Sequence, residues 1–335
     1  MMFELLGFSL LLAALLTFNS LASSAIAGLW RVAGKLTRGW TASSRARLLF
    51  SLRTLPALLA FLSVSLLLVP SYLAYEPRHT TERVSFKLAL LAFFSATGIA
   101  VSIYRGIATH RATAKLTADW LRQGKPIEIS GITIRAYQIE HTFPLIAIVG
   151  FLRPKLFIAR QILELLAPEE IAAAVAHENG HLAARDNLKR GLLHACRDAL
   201  LIIPSGRSLD RAWSEASEEA ADENAARQGN GAALDLASAL VKIAKNIPPG
   251  VRPTMPAGVF LLGDEEAKGV KSRVRRLIAL SSTDPQSGTR YEVIKKLLVW
   301  TPPIMLLATL AISATSPLLL SRVHFLLEQV VSALR

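Results

Sequence analysis

Four uncharged stretches interrupt an otherwise ordinary mixture of polar and apolar positions: Leu5–Trp30, Thr54–Tyr75, Leu88–Tyr104 and Leu297–Ser321. A bilayer with a hydrocarbon core of roughly 30 Å asks for about 20 apolar residues in a helix. Each stretch therefore reads as a membrane span, the short third one having a buried core helix as its competitor. A cleaved signal peptide competes for the first run, with small residues at Ala22–Ala25. The residues before that run carry Glu4 and no Lys or Arg, and the run is too long, so a retained span is expected. Trp30, Tyr72, Tyr75, Tyr104 and Trp300 mark run ends, where amphipathic rings prefer the headgroup level. Pro302-Pro303 predicts a kink near the start of the fourth run.

Between the third and fourth runs the pattern changes. Ala108–Arg122 reads as a helix. Alternating or short apolar runs at Ile127–Ser130, Ile132–Tyr137, Pro144–Val149 and Lys155–Ala159 read as strands, punctuated by Gly131, Gly150 and Arg153-Pro154. Pro168 followed by Glu169 and Glu170 starts a helix that runs to about Arg185 or beyond. Further helices are expected at Ser208–Arg227, Ala232–Lys245 and Lys271–Leu280, with a loop over Pro248–Gly258.

The composition supports this division. Of 335 residues 52% are hydrophobic and only 19% charged, with a mean hydropathy of +0.38. The net charge of +13 sits beside the apolar runs rather than in an aromatic-interleaved patch, so no nucleic-acid partner is expected. Arg31, Lys35, Arg38, Arg45, Arg47 and Arg53 form a basic segment without an acidic residue. By the positive-inside rule it faces the cytoplasm, which puts everything after Arg105 inside as well. Cys196 is the only cysteine, which excludes an internal disulfide and a Cys-rich metal site; any metal must use histidines and carboxylates.

The chemistry lies in the helix that starts at Pro168. His177-Glu178-Asn179-Gly180-His181 is an H-E-x-x-H pattern, and residues four apart on a helix present two imidazoles to one point. That spacing suits Zn2+, and Glu178 beside it can act as general base on a zinc-bound water. A bland alternative is a solvated face carrying two histidines, but the stretch around them is Ala, Val, Ile and Leu, where unpaired polar groups are costly. A hydrolytic zinc site takes three protein ligands and keeps one open position. Glu218 and Asp222, one turn apart on the next acidic helix, fit as third ligand and as an outer carboxylate that accepts a hydrogen bond from a ligating histidine. His194 and Arg185 are candidates for stabilising an oxyanion, with packing the competing role for His194. His141 reads as structural, and His79, His110 and His324 lie near span ends.

His177-Glu178-x-x-His181, Arg185-Asp186 after it and Glu218-x-x-x-Asp222 downstream resemble the integral-membrane gluzincin zinc metallopeptidases. Phe143-Pro144, Gly150-Phe151-Leu152-Arg153-Pro154 and Ile158 are more similar to the BlaR/MecR antirepressor type than to the HtpX and CAAX-prenyl-protease type. The resemblance implies hydrolysis of a peptide bond in a cytoplasmic or membrane protein, a repressor among the possible substrates, with an extended substrate held by strand pairing near Leu145–Val149. The sequence as given ends at Arg335, so the extracellular sensor of BlaR-type receptors is not expected.

The expected architecture is a mostly α membrane protein with about four transmembrane helices and an α+β zincin-like metallopeptidase domain between the third and fourth. Residues 1–105 would hold three spans and the basic loop, 106–295 the cytoplasmic zinc domain, and 296–335 the fourth span and a short tail. The location implied is the inner membrane. Competing functions are a quality-control protease and a catalytically idle zinc-fold transducer or scaffold.

Overall fold

The computed structural model describes residues 2–37, 39–78, 83–151, 153–200, 206–247, 267–282, 304–305 and 308–334. Its N-terminal part consists of long apolar helices. Helix α1 spans Met2–Ala33. Helix α2 (Ala42–Ser63) passes through a π-helical turn at Val64–Leu68 into α3 (Val69–Tyr75). The wide turn lies just before Pro70, which has no N–H to continue a regular ladder. Much of the basic segment is thus helical, since α2 begins at Ala42 and carries Arg45, Arg47 and Arg53 on its first turns.

Helix α4 (Phe86–Gln123) is capped by the Ser85 hydroxyl, which accepts from the Leu88 amide at 3.3 Å. Its 38 residues join two segments that the sequence pattern separates, the third apolar run and the helix over Ala108–Arg122. Neither Arg105 nor Gly106 breaks it, because a change of solvent does not require a change of backbone. Three helices, Met2–Val32, Ala42–Tyr75 and Phe86–Gln123, are long and apolar enough to cross a membrane. A fourth span exists if α11 (Ala308–Ala314) and α12 (Pro317–Leu334) count as one; they meet at a bend of 90°. The kink expected at Pro302-Pro303 and the loop over Pro248–Gly258 lie outside the described residues, as does His79.

The polar part carries a four-stranded sheet in the order β1-β2-β4-β3. Strand β1 (Lys125–Ile127) pairs antiparallel with β2 (Ala136–Ile139), β2 runs parallel to β4 (Lys155–Ala159), and β4 is antiparallel to β3 (Ile146–Val149). The first two strands are displaced from the sequence reading. Ile132 and Ile134 alternate as a strand would, yet with Ile129 they flank a turn at Gly131 (φ 85°) and pack against the core from outside the ladder.

Strand β3 is one of the two edge strands, but all four of its residues are buried, because α6 (Pro168–Ala184) lies over the sheet. After the short α5 (Arg160–Leu165) come α6, α7 (Asp186–Asp198), α8 (Arg207–Ala226), α9 (Ala232–Asn246) and α10 (Ala267–Ser281). The main core gathers Leu145–Val149, Leu156–Ala159 and Ala173–Ala176 with Leu236, Leu240, Ile243 and Leu277. Such burial is the chief stabilising term, at about 25 cal/mol per Å² of apolar surface.

Two ionic contacts, each with one buried partner, tie the elements together. At the start of α6, Glu170 accepts from the Ala167 amide (2.8 Å), Ser238 Oγ (2.6 Å) and Lys242 Nζ (2.8 Å). Ala167 has no side-chain acceptor, so this is the carboxylate half of a capping box, extended to hold α9. Between α2 and α8, Arg53 is 2% exposed and donates to Asp210 at 2.8 Å, beside Leu49, Trp213 and Ala216.

Candidate metal centre

The site forms where α6 crosses α8. Gly180 allows that crossing: a Cβ there would lie 3.0 Å from Ala221 Cα and 3.3 Å from Asn224 Cβ. Asn224 fixes the contact by donating to the Ala176 carbonyl at 2.9 Å. The close approach places His177, His181 and Glu218 around one point, and these residues form a group able to hold a metal ion. His177 Nε2 and His181 Nε2 are 3.2 Å apart; Glu218 Oε2 is 3.7 Å from the first and Oε1 is 3.6 Å from the second. Around a tetrahedral ion with bonds of about 2.0–2.1 Å, ligand atoms lie about 3.3–3.4 Å apart. The donor set and its spacing therefore fit such an ion.

Each histidine has a carboxylate on its other nitrogen. Asp222 Oδ1 is 3.0 Å from His177 Nδ1, and Asp186 Oδ2 is 2.9 Å from His181 Nδ1. These contacts fix the rings so that both Nε2 atoms face inward. Asp186 reaches back because Arg185, between α6 and α7, takes the left-handed conformation (φ 55°, ψ 42°). Ser217 Oγ donates to the same Asp186 oxygen at 2.6 Å, and Lys189 Nζ is 3.5 Å from the other.

Arg273 of α10 closes the site. Its guanidinium donates to both Asp222 oxygens (3.0 and 2.6 Å) and lies 3.1 Å from Glu218 Oε2. One cation thus fixes the third donor and the carboxylate behind the first.

The local fields follow from this packing. Burial lowers the pKa of His177, helped by the Arg273 cation and opposed by Asp222. For His181 burial acts downward too, but Glu218 and Asp186 outweigh it and the pKa rises. Asp222 is held well below the usual carboxylate range: burial acts upward, and Arg273 and His177 overcome it. Glu178 goes the other way, pushed up to about 8 chiefly by burial. Neither of its carboxylate oxygens has a full hydrogen bond, although the Ile148 backbone is close enough to oppose the rise. Enclosed and with neither oxygen fully hydrogen-bonded, Glu178 lies next to two inward-facing imidazoles, and a cation held between them would favour the carboxylate form that takes up a proton.

Residues 135–298 match the family model of Peptidase family M48. None of the curated proteins matches the chain. M48 peptidases depend on a metal, and the group of His177, His181 and Glu218 lies inside the matched segment. The match begins at Arg135, beside β2, and leaves the three long apolar helices outside it.

Other sequence candidates lie elsewhere. His194, on α7, is lowered by burial and by Arg197 and Arg190, groups outside the metal centre. His141 Nδ1 accepts from the Phe143 amide at 3.0 Å, shaping the turn before β3. Two residues of the matched segment escaped the sequence reading. Asp186 was visible only as part of a motif without a role, and Arg273 stood in a basic helix with no signal to single it out.

Proposed function

We propose that the chain is a membrane-embedded zinc metalloendopeptidase that hydrolyses peptide bonds of a cytoplasmic or membrane protein. One observation carries this reading: three side chains able to ligate a metal converge beside the enclosed carboxylate of Glu178, which makes no side-chain hydrogen bond. His177, His181 and Glu218 would hold zinc, with Asp222 and Asp186 orienting the two rings. A bound zinc ion would supply Lewis acidity, polarising the scissile carbonyl and acidifying water. Glu178 takes the proton of the attacking water on its carboxylate and returns it to the leaving amine nitrogen. The free edge of β3 offers backbone groups to an extended substrate.

The basic segment Arg31–Arg53, at the end of α1 and the start of α2, favours the inner membrane with the matched segment on the cytoplasmic side. Residues 1–105, 106–295 and 296–335 then serve as anchor, enzyme, and a fourth span with its tail. Within this reading a regulatory protease that cuts one repressor and a quality-control protease acting on membrane proteins are both compatible with the site. An idle transducer has no use for a buried general base such as Glu178.

The test is cleavage of an unfolded protein, and of the chain itself, in detergent. Wild type is compared with Glu178→Gln, with and without a zinc chelator. Activity lost in both controls supports the proposal. A wild type that binds no zinc overturns it.

A further inference from the structure

Beside the metal centre lies a cavity of about 380 Å³. Ile148, Phe151, Pro154, Leu182 and Leu188 give it an apolar side, Arg185, Asp186 and Asn187 a polar one, and His181 stands between it and the metal centre. It opens where β3 ends, and the polar groups of that strand are unevenly available. The Ala159 amide donates to the Leu145 carbonyl at 2.9 Å, so Leu145, Ala147 and Val149 face β4. By alternation, Ile146, Ile148 and Gly150 face the free edge. Two of those three edge carbonyls are already engaged: Asn187 Nδ2 donates to Ile148 at 3.0 Å and reaches Gly150 at 3.4 Å.

Resting on the peptidase reading, we infer that this cavity is the subsite for a large apolar side chain of the substrate, next to the bond that is cut. A peptide laid along β3 can pair with the backbone around Ile146. From Ile148 onward the Asn187 amide takes the place of a substrate N–H, and the peptide must be recognised by its side chain instead. The cavity lies on that side, and its walls suit residues of the leucine, methionine or phenylalanine kind. Leu188 is 40% exposed at the rim, and Phe151 packs on α7 at Gly191, where a Cβ would lie 3.5 Å from its ring. The first residue controls the width of the opening and the second its depth.

Two measurements test the subsite. In the first, peptides from digested casein are incubated with the full chain in detergent, and the residues flanking each new cut are counted by mass spectrometry. The expected pattern is leucine, methionine or phenylalanine at one fixed position, with a preference of about tenfold or more over alanine. Leu188→Trp should shift the preference towards small residues and Phe151→Ala towards larger ones, altering KM more than kcat. In the second, saturation-transfer NMR follows acetyl-leucine amide over zinc-free protein in nanodiscs. Its signal should exceed that of acetyl-aspartate amide and fall in Leu188→Trp. Cuts with no apolar preference, or one that neither variant moves, overturn the subsite, as does an acetyl-leucine amide signal that Leu188→Trp leaves unchanged. Absent cleavage by wild type, together with a variant-sensitive NMR signal, counts against the peptidase reading alone and leaves the cavity as a binding site for an apolar side chain.

Discussion

His181 and Asp186 stand on different helices, yet their side chains meet at 2.9 Å across the left-handed turn at Arg185. The helix that ends at Ala184 and the one that starts at Asp186 are thus locked together through an imidazole that faces the metal centre. Asp186→Asn should keep the fold and weaken zinc binding by about 10–100-fold. Competition against a chelator of known affinity measures this. Unchanged affinity would show that Asp186 does not orient His181.

Glu178 is buried between the sheet and the imidazoles, where it touches no other side chain by hydrogen bond. Glu178→Gln should leave zinc content at one ion per chain and lower kcat by a factor of about 10²–10⁴. Metal analysis beside a cleavage assay separates the two effects, and a variant that loses its zinc would give Glu178 a different role.

Gly180 is the contact at which α6 and α8 touch. Gly180→Ala should cost about 1–3 kcal/mol through overpacking against Ala221, read as a lower Tm. Zinc affinity should fall with it, since Glu218 and Asp222 ride on α8. A stable Gly180→Ala protein with full zinc affinity would refute the close crossing.

Glu170 supplies a pH dependence away from the metal. Its folded-state pKa lies below the ordinary value of 4.5, burial acting upward and the contacts to Lys242, Ser238 and the Ala167 amide acting downward more strongly. The carboxylate therefore stabilises the fold at neutral pH, and that contribution disappears as the pH falls through about 4.5 and then through the lower folded-state value. Tm should drop more steeply below about pH 5 in wild type than in Glu170→Gln. Parallel melting curves would reveal an error of sign.

Arg53 brings a charge into the contact between α2 and α8. Arg53→Met should destabilise by about 3 kcal/mol or less, because Asp210, 23% exposed, can recover water. Asp210 has a pKa already raised by burial, so protonation is a second escape. The double variant with Asp210→Asn should regain part of the loss, and urea titrations of the four proteins measure the coupling. Additive losses would mean that the pair is not an energetic unit.

The legible parts of this molecule are those with a local period. His177, Glu178 and His181 stand out because one helical turn brings them together, and α8 and α9 end within a residue or so of the sequence reading. Glu218 and Asp222 were found by the same rule. Strands β1 and β2 were misplaced because Ile132 and Ile134 mimic strand alternation, whereas the pairing of β2 with β4 decides where the ladder runs. Asp186 follows His181 by five positions, which on a straight helix would not face it; only the left-handed turn does that. Arg273 lies 51 residues from Asp222, and nothing local in α10 announces which of its arginines turns inward.

Helix α4 has a mechanical consequence. Its 38 residues make a rod about 57 Å long, against a hydrocarbon core of roughly 30 Å. On its way it is clamped by α7, with Ser102 donating to the Ala195 carbonyl at 3.2 Å and Arg105 paired with Asp198 at 2.9 Å. Its far end leads directly into β1. A rod held at its middle is a lever, so if its apolar half crosses a bilayer, a change in thickness that tilts that half swings the sheet end in the opposite sense. Turnover by this protein should then follow the acyl-chain length of the vesicles that carry it.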